Sequence, residues 1–163
     1  MIDIDLGIND ANIKYEVALD ALGGDLQPFL EAIRLEKEKA KPSTAAITYF
    51  EMRMRAIDEL QQELRPTDLD TINQIHDKNN RLFRLGKRVL YPVNLTPDTA
   101  GYFVSFPDVP EAMTQGETYE QAMEMAKDAL ETAQDFYKEK GQPLPKPSGI
   151  KDGQPFIEIT LGD

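Results

Sequence analysis

Gly101-Tyr102-Phe103-Val104-Ser105-Phe106-Pro107-Asp108-Val109-Pro110, followed by Thr114-Gln115-Gly116 and Thr118, compresses a strand, a turn and the start of a helix into a short stretch. Tyr102, Val104 and Phe106 alternate with Phe103 and Ser105, which predicts a strand with two distinct faces. Pro107 lacks the amide donor that would continue the ladder, so the strand stops there. Tyr102 and Phe103 cannot point the same way on one strand, which makes one of them a candidate contact residue. Thr118 and Gln121 have capping-box spacing. The helix they open should run to about Lys140, with Tyr119, Ala122, Met123, Ala126, Leu130, Ala133 and Phe136 or Tyr137 as its apolar stripe. Glu120, Glu124, Lys127, Asp128 and Glu131 fall away from that stripe.

Outward from this stretch the pattern continues on both sides. Downstream, Gly141 should end the helix, and Pro143, Pro145 and Pro147 make a stiff connector to a last strand in which Ile157, Ile159 and Leu161 alternate with Phe156, Glu158 and Thr160. Upstream, Val89, Tyr91, Val93 and Leu95 alternate with Leu90, Pro92 and Asn94, and Thr96 to Ala100 reads as the loop to the Tyr102 strand. Pro92 demands an edge-facing position or a bulge. Met113 to Gln115 adds a short third strand.

Before Lys87 the hydrophobic period is helical, which sets a boundary between a helical domain, residues 1–86, and a second domain, residues 87–163. Four helices are expected in the first. Asn9 or Asp10 caps the first helix, which Gly23-Gly24 should end; Asp25 then caps a second, with Pro28 in its first turn. Arg34 to Lys41 reads as a solvated charged run. Pro42-Ser43 opens the third helix, whose Ile47, Phe50, Met54, Ile57 and Leu64 form a packing seam interrupted by Gln61. Thr67 or Asp68 caps the fourth, with Leu69, Ile72, Ile75, Leu82 and Phe83 on one stripe and Gly86 at its end. The fold class is therefore α+β.

With Tyr91-Pro92 upstream and Ala122, Ala126 and Ala129 downstream, the opening stretch resembles the HicB antitoxin family. The resemblance covers roughly Arg88 to Asp163 and implies a degenerate, partial ribonuclease-H-like ββ(β)αβ fold. It also implies an antitoxin that binds and blocks HicA, a small basic toxin that cleaves messenger RNA. Many members carry a DNA-binding segment after the last strand, whereas this sequence stops at Leu161-Gly162-Asp163, which argues against direct operator binding through that route. Glu111-Ala112 stands where many members have glycine-cysteine.

Composition sets further bounds. With 163 residues and a formal charge of -11, the chain is a poor candidate for covering a nucleic-acid backbone, which needs lysine and arginine, and a good one for meeting a basic partner. It has no cysteine, which excludes disulfides and thiolate metal sites. No apolar run is long enough to cross a bilayer and the amino terminus has no signal-peptide pattern, so the expectation is a cytoplasmic protein without membrane contact.

A ribonuclease-H enzyme needs carboxylates converging on two metal ions, and the strand from Val89 to Leu95 offers none. No catalytic, cofactor or metal residue is therefore expected. Asp98, Asp108, Glu111 and Glu117 read as turn residues, with Asp108 fixing the Phe106–Pro110 turn, or as an acidic rim facing a basic toxin. The expected partner-binding set is Tyr102, Phe103, Asp108, Glu111 and Glu117. His76 reads as a boundary residue, and most of Met52, Met54, Met113, Met123 and Met125 as core or interface filler. Arg53 and Arg55, with the Arg34–Lys41 run, are the local basic concentrations of the helical half. The expected function is a non-enzymatic HicB-like antitoxin occluding a HicA-like toxin, with the helical half aiding oligomerisation or a second contact. A homo-oligomer is expected because a small sheet leaves edges to cover. The competing readings are a mobile-element interaction or anti-defence protein that dimerises through the HicB-like part, and a transcriptional regulator that uses the helical half.

Overall fold

The computed structural model describes residues 10–83 and 86–161. Asn9 as a cap, and Gly162-Asp163, lie outside them. In chain order the elements are α1 (Asp10–Lys37), α2 (Thr44–Glu63), α3 (Leu69–His76), a 3₁₀ turn (Arg81–Phe83), β1 (Lys87–Pro92), β2 (Asn94–Asp98), β3 (Gly101–Ser105), β4 (Met113–Gly116), α4 (Tyr119–Glu139) and β5 (Phe156–Leu161). The architecture is α+β, and the second half runs strand, strand, strand, helix, strand once β1 and β2 are read as one bent strand.

The helical half differs from expectation at Gly23-Gly24. No break occurs there: α1 is one helix of 28 residues that carries both glycines and Pro28 inside it. A glycine in a helix interior costs about 1 kcal/mol and a proline removes one ladder bond, so propensity alone predicts an end. Packing overrides it. A Cβ at Gly23 would meet Gln61 of α2 at 3.4 Å, ordinary contact, and Gln61 donates from Nε2 to the Leu19 carbonyl at 3.2 Å, so α2 braces α1 across the expected break. Asp25 is consequently no cap; it is a fully buried side chain of the α1 interior.

The expected start and seam of the helix after Pro42 hold. Ser43 caps α2, its Oγ accepting from the Ala46 amide at 3.2 Å, and Phe50, Ile57 and Leu64 of the predicted seam are buried. The charged run is only partly solvated. Arg34 makes exposed pairs with Glu31 and Glu38, yet Glu36 is buried and accepts from the Ser43 amide at 2.9 Å. The fourth helix is shorter than predicted. Asp77 and Asn80 turn their side chains onto the amides of Asn79 and Leu82, which offers the backbone an alternative to helix and leaves Leu82 and Phe83 in the 3₁₀ turn.

β1 pairs antiparallel with β5, and β2, β3 and β4 form a separate antiparallel sheet in that order. The expected loop from Thr96 to Ala100 is mostly strand, because β2 continues to Asp98 opposite Gly101. Pro92 sits where the strand changes partner: β1 ends at the Pro92–Phe156 pair and Val93 donates to the Pro155 carbonyl before β2 turns to β3. Gly101 and Gly116 face each other closely, Gly101 at φ 134°, and a side chain on Gly116 would strike the backbone of Ala122 in α4. The second half thus presses α4 onto the sheet through Ala122, Ala126, Leu130 and Ala133, all buried.

Two cores result. Tyr91, Val93, Val104, Phe106, Ile157 and Ile159 pack with the alanine stripe of α4. Leu90 and Phe156, from the other face of the same ribbon, join Leu22, Phe29, Phe50 and Ile57 of α1 and α2. No helix among the described residues is long and apolar enough to cross a membrane.

Candidate interaction surface

The β2-β3-β4 sheet buries one face against α4 and leaves the other open. Val104 is fully buried and Tyr102 half-buried, the latter edge-on to Tyr119 with ring centroids 6.2 Å apart. Phe103, between them, points the opposite way and is 41% exposed. The register sets its neighbours: Phe103 lies between Thr96 and Gln115, and Ser105 between Asn94 and Met113, which is 60% exposed. The open face is therefore polar around two apolar side chains, with exposed Asp98, in step with Asn94 and Thr96, as its charge. The choice between Tyr102 and Phe103 that the alternation left open falls on Phe103 as the outward residue.

The four acidic residues singled out from the sequence do not converge. Among the described residues no group of three or more His, Cys, Asp or Glu side chains is close enough to hold a metal ion. Glu117 and Glu111 are exposed, and Glu111 accepts from the Tyr137 hydroxyl at 2.9 Å, which holds that phenol above its ordinary range. Asp108 works differently from expectation. Its carboxylate accepts from the Ser148 amide at 3.0 Å and hydroxyl at 3.1 Å, so it ties the turn to the proline connector instead of bracing the turn itself. The Tyr91 hydroxyl donates to Pro145 of the same connector at 2.7 Å, and burial, then the Asp108 charge, push this tyrosine up to about 12.

α4 opens as its sequence predicts. Thr118 Oγ1 accepts from the Gln121 amide at 3.1 Å, while Gln121 Oε1 reaches back to the Glu117 amide at 2.7 Å, one residue earlier than the usual box. The helix closes with the Gln142 amide on the Tyr137 carbonyl and Gly141 at φ 67°, a six-to-one closure that favours glycine. Of the expected stripe, Tyr137 rather than Phe136 packs on the core, Tyr119 is exposed, and Glu131, expected in solvent, is buried. Met52, Met113 and Met125 are likewise exposed, so most of the five methionines considered are surface residues.

A second constellation was not expected from the sequence. On the face of the β1·β5 ribbon that meets α1 and α2, Glu158 accepts from the Tyr49 hydroxyl at 2.5 Å, Arg53 Nε at 3.0 Å and Arg88 Nη1 at 3.3 Å. Arg88 also donates to Thr160 Oγ1 at 2.5 Å and to the Leu82 carbonyl at 3.3 Å. The Phe29 ring takes both guanidinium groups, with centroid distances of 5.3 Å to Arg53 and 5.0 Å to Arg88. Arg53 is therefore engaged in the interior and is no part of an outward basic patch. Burial lowers Arg88 from its ordinary value and raises Tyr49. Asp25 completes the group. Its carboxyl oxygens make no hydrogen bond, and burial, opposed by Arg88 and Arg53, raises it to about 6. A sequence signal existed only for Glu158, a charge in the middle of an apolar strand. Lone His76 lies at the surface and contacts the Lys14 carbonyl through Nε2 at 2.8 Å.

The comparison with known proteins falls on the half that carries the open sheet. A family model described as the HicB-like antitoxin of bacterial toxin-antitoxin systems matches residues 90–161. That half of the chain is HicB-like. Antitoxin HicB of Escherichia coli strain K12 is 57% identical over 72 residues, covering 44% of this chain and 52% of its own length. Antitoxin HicB 1 of Photorhabdus laumondii is 51% identical over 76 residues, covering 46% of this chain and 48% of its own. Antitoxin HicB 2 of the same bacterium is 47% identical over 75 residues. The chain spans about half the length of the curated relatives it matches. The HicB-like part begins inside β1, so the Arg88 end of the strand and the three α-helices before it lie outside the matched residues.

Proposed function

We propose that this chain is a non-enzymatic antitoxin that binds and occludes a small basic HicA-type toxin, a ribonuclease acting on messenger RNA. The observation that supports it is the 57% identity over 72 residues to a protein named Antitoxin HicB, in the half that leaves a sheet face uncovered. Occlusion needs shape and charge complementarity and no catalytic residue. Phe103 and Met113 supply the apolar centre, flanked by Thr96, Ser105 and Gln115, and Asp108, Glu111 and Glu117 supply an acidic rim. A formal charge of -11 steers a basic partner toward such a rim and raises the encounter rate. Tyr102 stands behind Phe103 and fixes the strand against Tyr119. The helical half, in this reading, aids oligomerisation or adds a second contact.

The test is co-expression with the neighbouring small open reading frame. The proposal expects that frame to encode a HicA-like protein, its toxicity to be relieved by this chain, and the two to co-purify. A neighbourhood without such a frame, together with no co-purifying small basic protein, overturns it. Phe103→Asp should abolish co-purification while the circular-dichroism spectrum stays unchanged, because the substituted side chain lies in solvent.

A further inference from the structure

The β1·β5 ribbon has a free edge that the antitoxin reading does not use. Val93 donates to the Pro155 carbonyl at 3.0 Å, which makes residues 93 and 155 a hydrogen-bonded pair. The register is one to one from there, so Ile157, Ile159 and Leu161 direct their backbone groups at β1, and Phe156, Glu158 and Thr160 direct theirs away from it. The Thr160 carbonyl confirms the direction, because Gln134 of α4 reaches it with Nε2 at 3.1 Å. No other strand among the described residues pairs with this edge.

The edge forms the floor of a cleft. Five consecutive residues, 156–160, line it, with Tyr49 and Arg53 of α2 on one wall and Met123 and Gln134 of α4 on the other. Natural strand edges are blunted by proline or lysine, by an inward-pointing charge or by a covering helix. β5 has no proline or lysine, and α4 reaches the edge only at the Thr160 carbonyl through Gln134. Its sequence is Phe-Ile-Glu-Ile-Thr-Leu, and its one charge, Glu158, is consumed by Tyr49, Arg53 and Arg88 on the covered face. The ionisable groups lining the cleft balance, with Arg53, Arg88 and Lys127 against Glu124, Glu131 and Glu158, which disfavours a polyanion such as nucleic acid.

We infer that the β5 edge is a strand-addition site for an extended segment of a partner protein. Such a segment pairs its backbone with Phe156 and Glu158 and with the Thr160 amide, the Thr160 carbonyl being held by Gln134, and alternate side chains meet the two walls. On the α4 wall the half-buried Met123 selects an apolar residue, and its unbranched side chain adapts to the shape that enters. The balanced charge of the cleft selects a segment with little net charge. This site shares no residue with the surface around Phe103, so it stands or falls apart from toxin occlusion.

The full-length chain tests it by amide hydrogen exchange. In the free protein the amides of Glu158 and Thr160 should exchange at least tenfold faster than those of Ile157 and Ile159. A phage-displayed library of ten-residue peptides panned on the same protein should yield binders, and a synthesised binder should slow the Glu158 and Thr160 amides at least tenfold. Met123→Glu should weaken that peptide at least tenfold, and Phe103→Ala should leave its affinity unchanged. The inference is overturned if the outward amides are already protected in the free chain, if selected peptides protect other amides, or if panning yields none. It is equally overturned if protection rises with protein concentration, which would give the edge to a second copy of the chain.

Discussion

The two sheets of the molecule share one bent strand and meet opposite fates. From Lys87 to Pro92 that strand pairs with β5 and is covered on both faces, by α4 on one side and by α1 and α2 on the other. From Asn94 to Asp98 it pairs with β3 and is covered on one face only. In the sequence both segments show the same alternation. What separates them is the helical half, which takes the outer face of the ribbon and stops short of the three-stranded sheet. The covered ribbon pairs its buried charges with one another, whereas the open sheet leaves Phe103 and Met113 exposed among polar residues.

The sharpest way to break this contrast is to remove Arg88, which is 4% exposed and holds Glu158, Thr160 and the Leu82 carbonyl. Its truncation leaves Glu158 with Tyr49 and Arg53 but takes the donor from the half-buried Thr160 hydroxyl and the Leu82 carbonyl and the opposing charge from buried Asp25, at a cost of about 3 to 5 kcal/mol. Arg88→Ala should lower the urea midpoint by that equivalent, and a loss below about 1 kcal/mol would mean the ribbon is not buried on its α1 and α2 side. Next comes Leu90→Ala. Leu90 is 6% exposed on the face toward α1, and deleting a buried leucine costs about 2 to 5 kcal/mol. If Leu90→Ala proves no more damaging than the same change at Phe103, the two sheets do not differ in cover.

Asp25 sharpens the contrast through pH. Its folded-state value of about 6 lies above the ordinary 3.8, so the folded protein holds this proton more tightly than the unfolded chain. The stabilisation from that proton is complete below the unfolded value and is lost as pH rises through about 6. At pH 7 the wild type therefore buries an ionised carboxylate with no hydrogen-bond partner, opposed by the charges of Arg88 of β1 and Arg53 of α2, which are themselves paired with Glu158 of β5. Asp25→Asn should be more stable than wild type at pH 7 by up to about 2 to 3 kcal/mol, with the difference shrinking toward pH 4. Paired urea titrations across that range read it directly. A difference that does not change with pH would remove Asp25 from the buried cluster.

The contrast also explains which features were legible in the sequence. The strands, the capping box at Thr118 and the end of α4 at Gly141 are set by local chemistry, and each was readable from neighbouring residues. The continuity of α1 past Gly23-Gly24 and the burial of Asp25 come from α2 and β1, which lie far along the chain: Gln61 of α2 bonds the Leu19 carbonyl beside the expected break, and the apparent cap is buried near Arg88. Arg53 and Arg88 gave no signal for the same reason, since nothing nearby in sequence names Glu158 as their acceptor. The outward position of Phe103 was half legible. Alternation separated it from Tyr102, and only the placement of α4 decided which of the two faces solvent.

Phe103 carries the smallest stability effect and the most specific functional one. It is 41% exposed, its face has no covering element among the described residues, and its cross-strand neighbours Thr96 and Gln115 keep their own backbone bonds without it. Phe103→Ala should therefore change the urea midpoint by less than the equivalent of about 0.5 kcal/mol, the range of ordinary surface substitutions. Binding to a toxin partner should respond very differently, because an aromatic side chain at the centre of a contact is the kind of residue whose truncation costs 2 kcal/mol or more, roughly a thirtyfold loss of affinity. Paired measurement of unfolding and of toxin affinity by calorimetry separates the two effects. A stability loss comparable to that of Leu90→Ala would show that the face is covered, and an unchanged toxin affinity would move the contact off this sheet, leaving the acidic rim at Glu111 and Glu117 to be tested in its place.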